Sequence, residues 1–193
     1  MQRRVFIATA ATAVAVAPFI TPAGAVAPRP GPVLLTVSGA IANGNRGPRN
    51  ALDQLMHKHG IAFGRAHAFD HTALATLPAV SIEPQVEYDG QPHRLTGPLL
   101  TTVLKAAGVA LHDAELTLRA LDGYGARLSL DEAREQRFII ATHLDGAPLA
   151  LGGVGPLWAV YDPGGFPGMM DRPLAERFAN CPWGLYHIEV APV

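Results

Sequence analysis

One cysteine, Cys181, stands in a chain of 193 residues. A lone thiol excludes any intramolecular disulfide, so the fold must hold by core burial. Charge is scarce as well, at 16% of residues against 49% hydrophobic. Lys+Arg (15) and Asp+Glu (16) nearly balance, with no run of one sign. That removes the basic stripe a nucleic-acid partner requires. Past the N-terminus no apolar segment is long enough to span a bilayer. Missing too are GxGxxG after a first strand, a P-loop, HExxH and GxSxG. The eight histidines are scattered. His57 and His59 are two apart on a helix and cannot share a face. His67 and His71 straddle a strand end and a helix start, and no neighbouring cysteine pair adds to the case for zinc. Ser38, Ser81 and Ser129 fall in strand or cap contexts, so no Ser/His/Asp grouping is visible.

What is present begins with a leader. Met1 to Ala25 has a basic start (Arg3, Arg4), an apolar run from Val5 to Ile20 broken by Pro18 and Pro22, and then Ala23-Gly24-Ala25. This is the pattern of a secretory signal peptide, with cleavage expected after Ala25. Arg3-Arg4-Val5-Phe6-Ile7 is close to a twin-arginine export signal. The expected destination is the periplasm. Residues 26–32 are Pro-rich and read as a lead-in linker, and 33–193 as one domain.

Within that domain the pattern is of many short strands and few helices, an α+β class. Val33 to Gly39 reads as a strand. Leu52, Leu55, Met56 and His59 recur at helical spacing, with Gly60 as the stop. Asp70 is a good N-cap for a helix to Thr76. Val80 to Tyr88 and Pro92 to Leu95 flank Asp89-Gly90 as a hairpin. Gly97-Pro98 is expected to open the clearest helix, with Leu99, Leu100, Val103, Leu104 and Ala107 on one face and Gly108 at its end. Strands at Glu115 to Leu121 and on to Leu128 flank Asp122-Gly123-Tyr124, and Ser129 to Glu132 fits a capping box. A hairpin about Asp145-Gly146 follows. Pro163 to Met170 reads as a loop, Leu174 to Asn180 as a short helix, and Trp183 to Val190 as the closing strand.

The rest is organised around Gly152-Gly153-Val154-Gly155-Pro156 and the strand Leu157 to Tyr161 after it. Three glycines let a backbone come close to a ligand or to another strand, so this turn is either a site or a tight corner. Asp122-Gly123-Tyr124 and the closing strand converge on it. Asp122-Gly123-Tyr124 is itself either a plain β-turn or the wall of a pocket. Trp158 and Trp183 each open an apolar strand and read as core, and Cys181 as a small buried residue.

The order of these motifs carries a resemblance. A strand ending in Ser38-Gly39 is followed by Phe69-Asp70 and Leu74-Ala75-Thr76-Leu77-Pro78. Then come Gly97-Pro98-Leu99-Leu100, Asp122-Gly123-Tyr124 and Ala141-Thr142-His143-Leu144-Asp145-Gly146. Gly155-Pro156-Leu157-Trp158-Ala159-Val160-Tyr161 and Trp183 to Val190 complete the series. Over Val33 to Val190 it resembles the small exported members of the oxidoreductase molybdopterin-binding domain family, which share the sulfite oxidase core fold.

The resemblance implies a pterin site and brings two departures with it. Catalytic members hold molybdenum through the pterin dithiolene and one cysteine, placed after the strand that here reads Ser81 to Tyr88. No cysteine is there; Tyr88 matches the aromatic that small relatives carry near that strand's end. Related sequences also place Arg or Lys before Gly-Pro-Leu-Trp, whereas this chain reads Leu151-Gly152-Gly153-Val154, leaving Arg94, Arg127 and Arg172 to meet a cofactor phosphate. Molybdopterin is therefore less expected than a pterin bound without metal. The implied site is Glu87, Tyr88, Asp122, Gly123 and Tyr124, with the Asp122 carboxylate facing pterin N–H groups and no catalytic or metal-ligating residue. The implied partner is the periplasmic domain of a membrane signalling protein. The alternative is a periplasmic molybdenum-cofactor oxidoreductase or its subunit, and a third reading is an interaction module with a vestigial pocket.

Overall fold

Buried on both faces from Leu35 to Ser38, Val33–Gly39 forms β1 in a computed structural model that describes residues 31–192. The expected leader lies outside the described residues, as does most of the 26–32 lead-in. The helix after β1, α1 (Gln54–Lys58), is short and buries Met56. A strand for which the sequence marked only the end, between His67 and His71, follows: β2 (Ala66–Asp70), antiparallel to β1. Asp70 then caps α2 (His71–Ala75) as expected, accepting the Ala73 N–H at 2.7 Å.

The next segment departs from expectation. The strand expected to reach Tyr88 is only β3 (Ala79–Ile82), since Pro84 has no N–H for the ladder. Residues 87–89 form a turn instead, closed by the Gly90 N–H donating to the Val86 carbonyl at 2.9 Å. Gly97 and Pro98 do not open a helix. They belong to β4 (Leu95–Pro98), opposite Val80 and Ala79. The reason is a close approach: a Cβ on Gly97 would lie 1.9 Å from the Ile140 carbonyl oxygen. The helix, α3 (Leu100–Ala106), starts two residues later and buries Leu100, Val103 and Leu104 completely. Each such side chain contributes about 1.5–3 kcal/mol.

Strands β5 (Ala114–Ala120) and β6 (Gly125–Ser129) form the hairpin about Asp122 and Gly123. Ser129 and Glu132 make the full capping box of α4 (Leu130–Glu135). Then come β7 (Ile139–Ala141), β8 (His143–Leu144), β9 (Ala147–Pro148) and β10 (Trp158–Val160). The expected loop at 163–170 contains a 3-10 turn (Pro163–Gly165) and α5 (Pro167–Met170); the expected helix at 174–180 is a 3-10 turn (Leu174–Phe178). The chain closes with β11 (Leu185–Pro192).

The main sheet has the order β2-β1-β11-β5-β6, with β1 and β11 parallel and all other neighbours antiparallel. A second sheet runs β3-β4-β8-β9, and β10 pairs with β7. Trp158, Tyr161, Phe138, Leu95, Leu116 and Leu118 are fully buried in one core with α3 and α4. The Gly-rich stretch is a corner in this core. A Cβ on Gly155 would lie 2.5 Å from the Leu149 carbonyl oxygen. The same stretch receives the closing segment, through Gly184 N–H to Val154 O (3.2 Å) and Leu185 N–H to Leu157 O (2.9 Å).

Candidate functional site

Three segments far apart in sequence meet around one cavity of about 250 Å³. The turn after β3 brings Glu87 and Tyr88. The β5–β6 turn brings Asp122 and Tyr124. The segment from Ala175 to Trp183 completes the wall with Phe178, Cys181, Pro182 and Trp183. Four of the five residues expected at the site thus line a single cavity. The fifth, Gly123, serves the turn: it has φ +97 and its Cα faces the His59 ring rather than the cavity.

Each wall has a local cause. Asp122 Oδ1 accepts the Tyr124 N–H at 2.8 Å, so the carboxylate shapes its own turn, and Oδ2 has no partner among the described residues. The Tyr124 hydroxyl donates to the Ala179 carbonyl and ties this turn to the 174–183 segment. The Trp158 indole N–H donates to the Cys181 carbonyl at 2.9 Å from inside the core and fixes the same segment from below. Tyr88 lies beside Trp158, the two rings tilted by 44° with centroids 6.3 Å apart. Burial, and then the neighbouring Glu87 carboxylate, push the Tyr88 hydroxyl up to about 12, so it remains a donor across the physiological range.

Trp183 corrects an expectation. It is 40% exposed and lines the cavity, whereas Trp158 is core as expected. The difference follows from Gly184, whose φ of +63 delays β11 to Leu185 and leaves the indole outside the sheet. Phe178 and Pro182 were also missed, since nothing local marks the 174–183 segment as a cavity wall. Sequence reading missed one polar contact as well. Ser38 Oγ and His187 Nε2 are 2.9 Å apart across β1 and β11, each only 1% exposed. No carboxylate joins them and solvent does not reach them, so they are a core pair.

The lining tests which groups suit the cavity. It holds two carboxylates, three exposed aromatic rings and no Arg or Lys. Arg172 lines a different cavity, and neither Arg94 nor Arg127 lines this one. The only thiol, Cys181, is buried, and burial raises its pKa and disfavours the thiolate. Among the described residues no group of three or more His, Cys, Asp or Glu is arranged to hold a metal ion. A molybdopterin does not fit this donor set: its phosphate finds no cation in the lining, and no cysteine comes directly after the 81–88 segment. A bare pterin ring does fit, because carboxylates accept from its amino and ring N–H groups while aromatic faces flank it.

No family model and no curated protein matches the chain. Among solved structures it is similar to the sulfane dehydrogenase SoxCD from Paracoccus pantotrophus, with a TM-score of 0.51 and 12% identity. The match covers 81% of this chain and 37% of that one, so this chain spans little more than a third of its length. That likeness shows the fold. The chain has an α+β, sulfite-oxidase-like fold, as the order of motifs implied.

Proposed function

We propose that this protein binds a pterin in the cavity between the 87–88 turn, the 122–124 turn and the 175–183 segment, without redox chemistry of its own. The carrying observation is the convergence of Glu87, Tyr88, Asp122, Tyr124 and Trp183 on that one cavity. Its volume lies just under the roughly 300–1,000 Å³ of pockets for drug-sized ligands, and so suits a bicyclic ring better than a ring with a phosphate tail. The carboxylates hold the ring's donor edge and the aromatic side chains cover its faces.

The small exported relatives that lack the cysteine supply the setting. The protein acts in the periplasm, and its loaded form engages the periplasmic domain of a membrane signalling protein. Binding carries a signal there only if the ligand favours one conformation over another. The competing reading is a molybdenum-cofactor oxidoreductase or its subunit, which the fold likeness and the twin-arginine-like leader favour. The missing cysteine and the cation-free lining weigh against it.

Titration of the purified protein with a pterin, followed by calorimetry, tests the binding claim. Saturable one-to-one binding is expected, and Tyr88→Ala should weaken it about three- to tenfold through loss of a stacking face. Absence of saturable binding overturns the reading.

A further inference from the structure

The cavity's charge is one-sided. Glu87 and Asp122 are its only formally charged lining residues, and Tyr88, Tyr124 and Trp183 are exposed beside them. The cations nearby are turned to other work. Arg119, behind the 122–124 turn, points a guanidinium N–H at the Gly123 carbonyl, 3.4 Å away. Arg177 donates to the backbone oxygens of Arg172 (2.9 Å) and Met170 (3.0 Å) and lines the neighbouring cavities instead. The face a ligand meets is therefore two carboxylates set among π-faces, which repel anions and attract cations and N–H donors.

We infer that the cavity selects its ligand by charge, taking a flat cationic or donor-rich neutral ring and rejecting one that carries a phosphate or carboxylate. Glu87 and Asp122 are the specificity-determining residues. The inference deepens the pterin reading, since it makes the ligand the free, unphosphorylated pterin, and it rests on the same cavity. It also requires a phosphate-removing reaction upstream wherever the pterin arises as a phosphate ester.

Two ligand series on the purified protein, read by calorimetry, test this. The first keeps one flat shape and varies its charge: benzamidinium, benzamide and benzoate. The second compares a pterin alcohol with its phosphate monoester. Benzamidinium should bind tightest and benzoate weakest, at least about tenfold apart, and the ester about tenfold weaker than the alcohol. In Glu87→Gln/Asp122→Asn, whose amides keep the turn acceptor and the side-chain size, both differences should shrink to within about threefold. A flat or reversed order in the benzene series of the wild-type protein overturns the inference, as does an ester that binds as well as the alcohol. If neither pterin binds but the benzene order holds, the pterin reading fails and the charge selection stands.

Discussion

Asp122 has one task in the fold and a second under the proposal, and its two oxygens separate them. Oδ1 accepts the Tyr124 N–H and holds the turn, while Oδ2, without a partner among the described residues, is the oxygen we propose for the ligand. Asp122→Asn keeps the turn acceptor and removes the charge; Asp122→Ala removes both. Asp122→Ala should weaken pterin binding more than tenfold, in keeping with about 1.5–3 kcal/mol for a charge-assisted hydrogen bond. Asp122→Asn should weaken it less and leave the melting temperature unchanged. Calorimetry and thermal melts on both variants check this, and an unchanged affinity in Asp122→Ala would remove the residue from the site. The turn that carries Asp122 and Tyr124 to the cavity wall was legible in the sequence because a turn is local chemistry. Trp183 was not, because its role depends on whether the last strand starts at 183 or at 185. A glycine with positive φ decides that through its contact with the Gly-rich corner.

At the scale of elements, the turn carrying Glu87 and Tyr88 is held by a small ionic clamp. His93 lies between two carboxylates, Nδ1 at 2.7 Å from Asp145 and Nε2 at 2.8 Å from Asp89, and so joins this turn to the β8–β9 hairpin. Hydrogen bonds first to Asp145 and then to Asp89 raise the pKa of His93 above 6.5. Its folded-state pKa is the higher one, so its contribution is fully present below 6.5 and fades as the pH rises through the raised value. The two aspartates have lowered pKa values and stay ionised throughout that window. His93→Asn should therefore lower the melting temperature most at pH 5–6, with the gap to wild type closing in alkaline buffer. A gap independent of pH would show that the clamp is not ionic.

Gly97 is the sharper case of an element the sequence misled on. Gly-Pro before an apolar periodic run is a good helix opening, and only the Ile140 backbone at van der Waals limits turns it into a strand. Gly97→Ala places a methyl group on that carbonyl and should cost more than about 3 kcal/mol or prevent folding, as a soluble-yield and denaturation assay would show. Ordinary stability would mean that β4 and β7 can move apart. The elements read correctly, such as the caps at Asp70 and Ser129 and the α3 face, are those whose signals lie within one turn of chain. β2 carries no such signal beyond its end and exists because β1 offers an edge.

For the molecule as a whole, sheet pairing buries one titratable group that helps set its acid limit. His187 stands in the central strand β11, and burial, reinforced by Arg119 and Arg46, pushes it down to about 4. Its folded-state pKa is the lower one, so the unfolded chain binds the extra proton between about 6.5 and 4, and stability falls as the pH drops through that range. The full shift corresponds to about 3 kcal/mol. Denaturant titrations from pH 7 to pH 4 should show a loss of that order, which His187→Gln flattens; a parallel loss in the variant would assign it to other groups.

The α+β architecture was legible from the succession of motifs along the chain, whereas strand order and the exposed Trp183 wall came only with tertiary contacts. The account's central claim is a pterin held without molybdenum, and one sample tests it most directly. Protein produced from its full-length sequence is purified intact, its small molecules are released and assayed for pterin fluorescence, and molybdenum is measured on the same material. The account predicts pterin near one per chain and no molybdenum. Stoichiometric molybdenum would contradict it and make the chain a cofactor-dependent oxidoreductase.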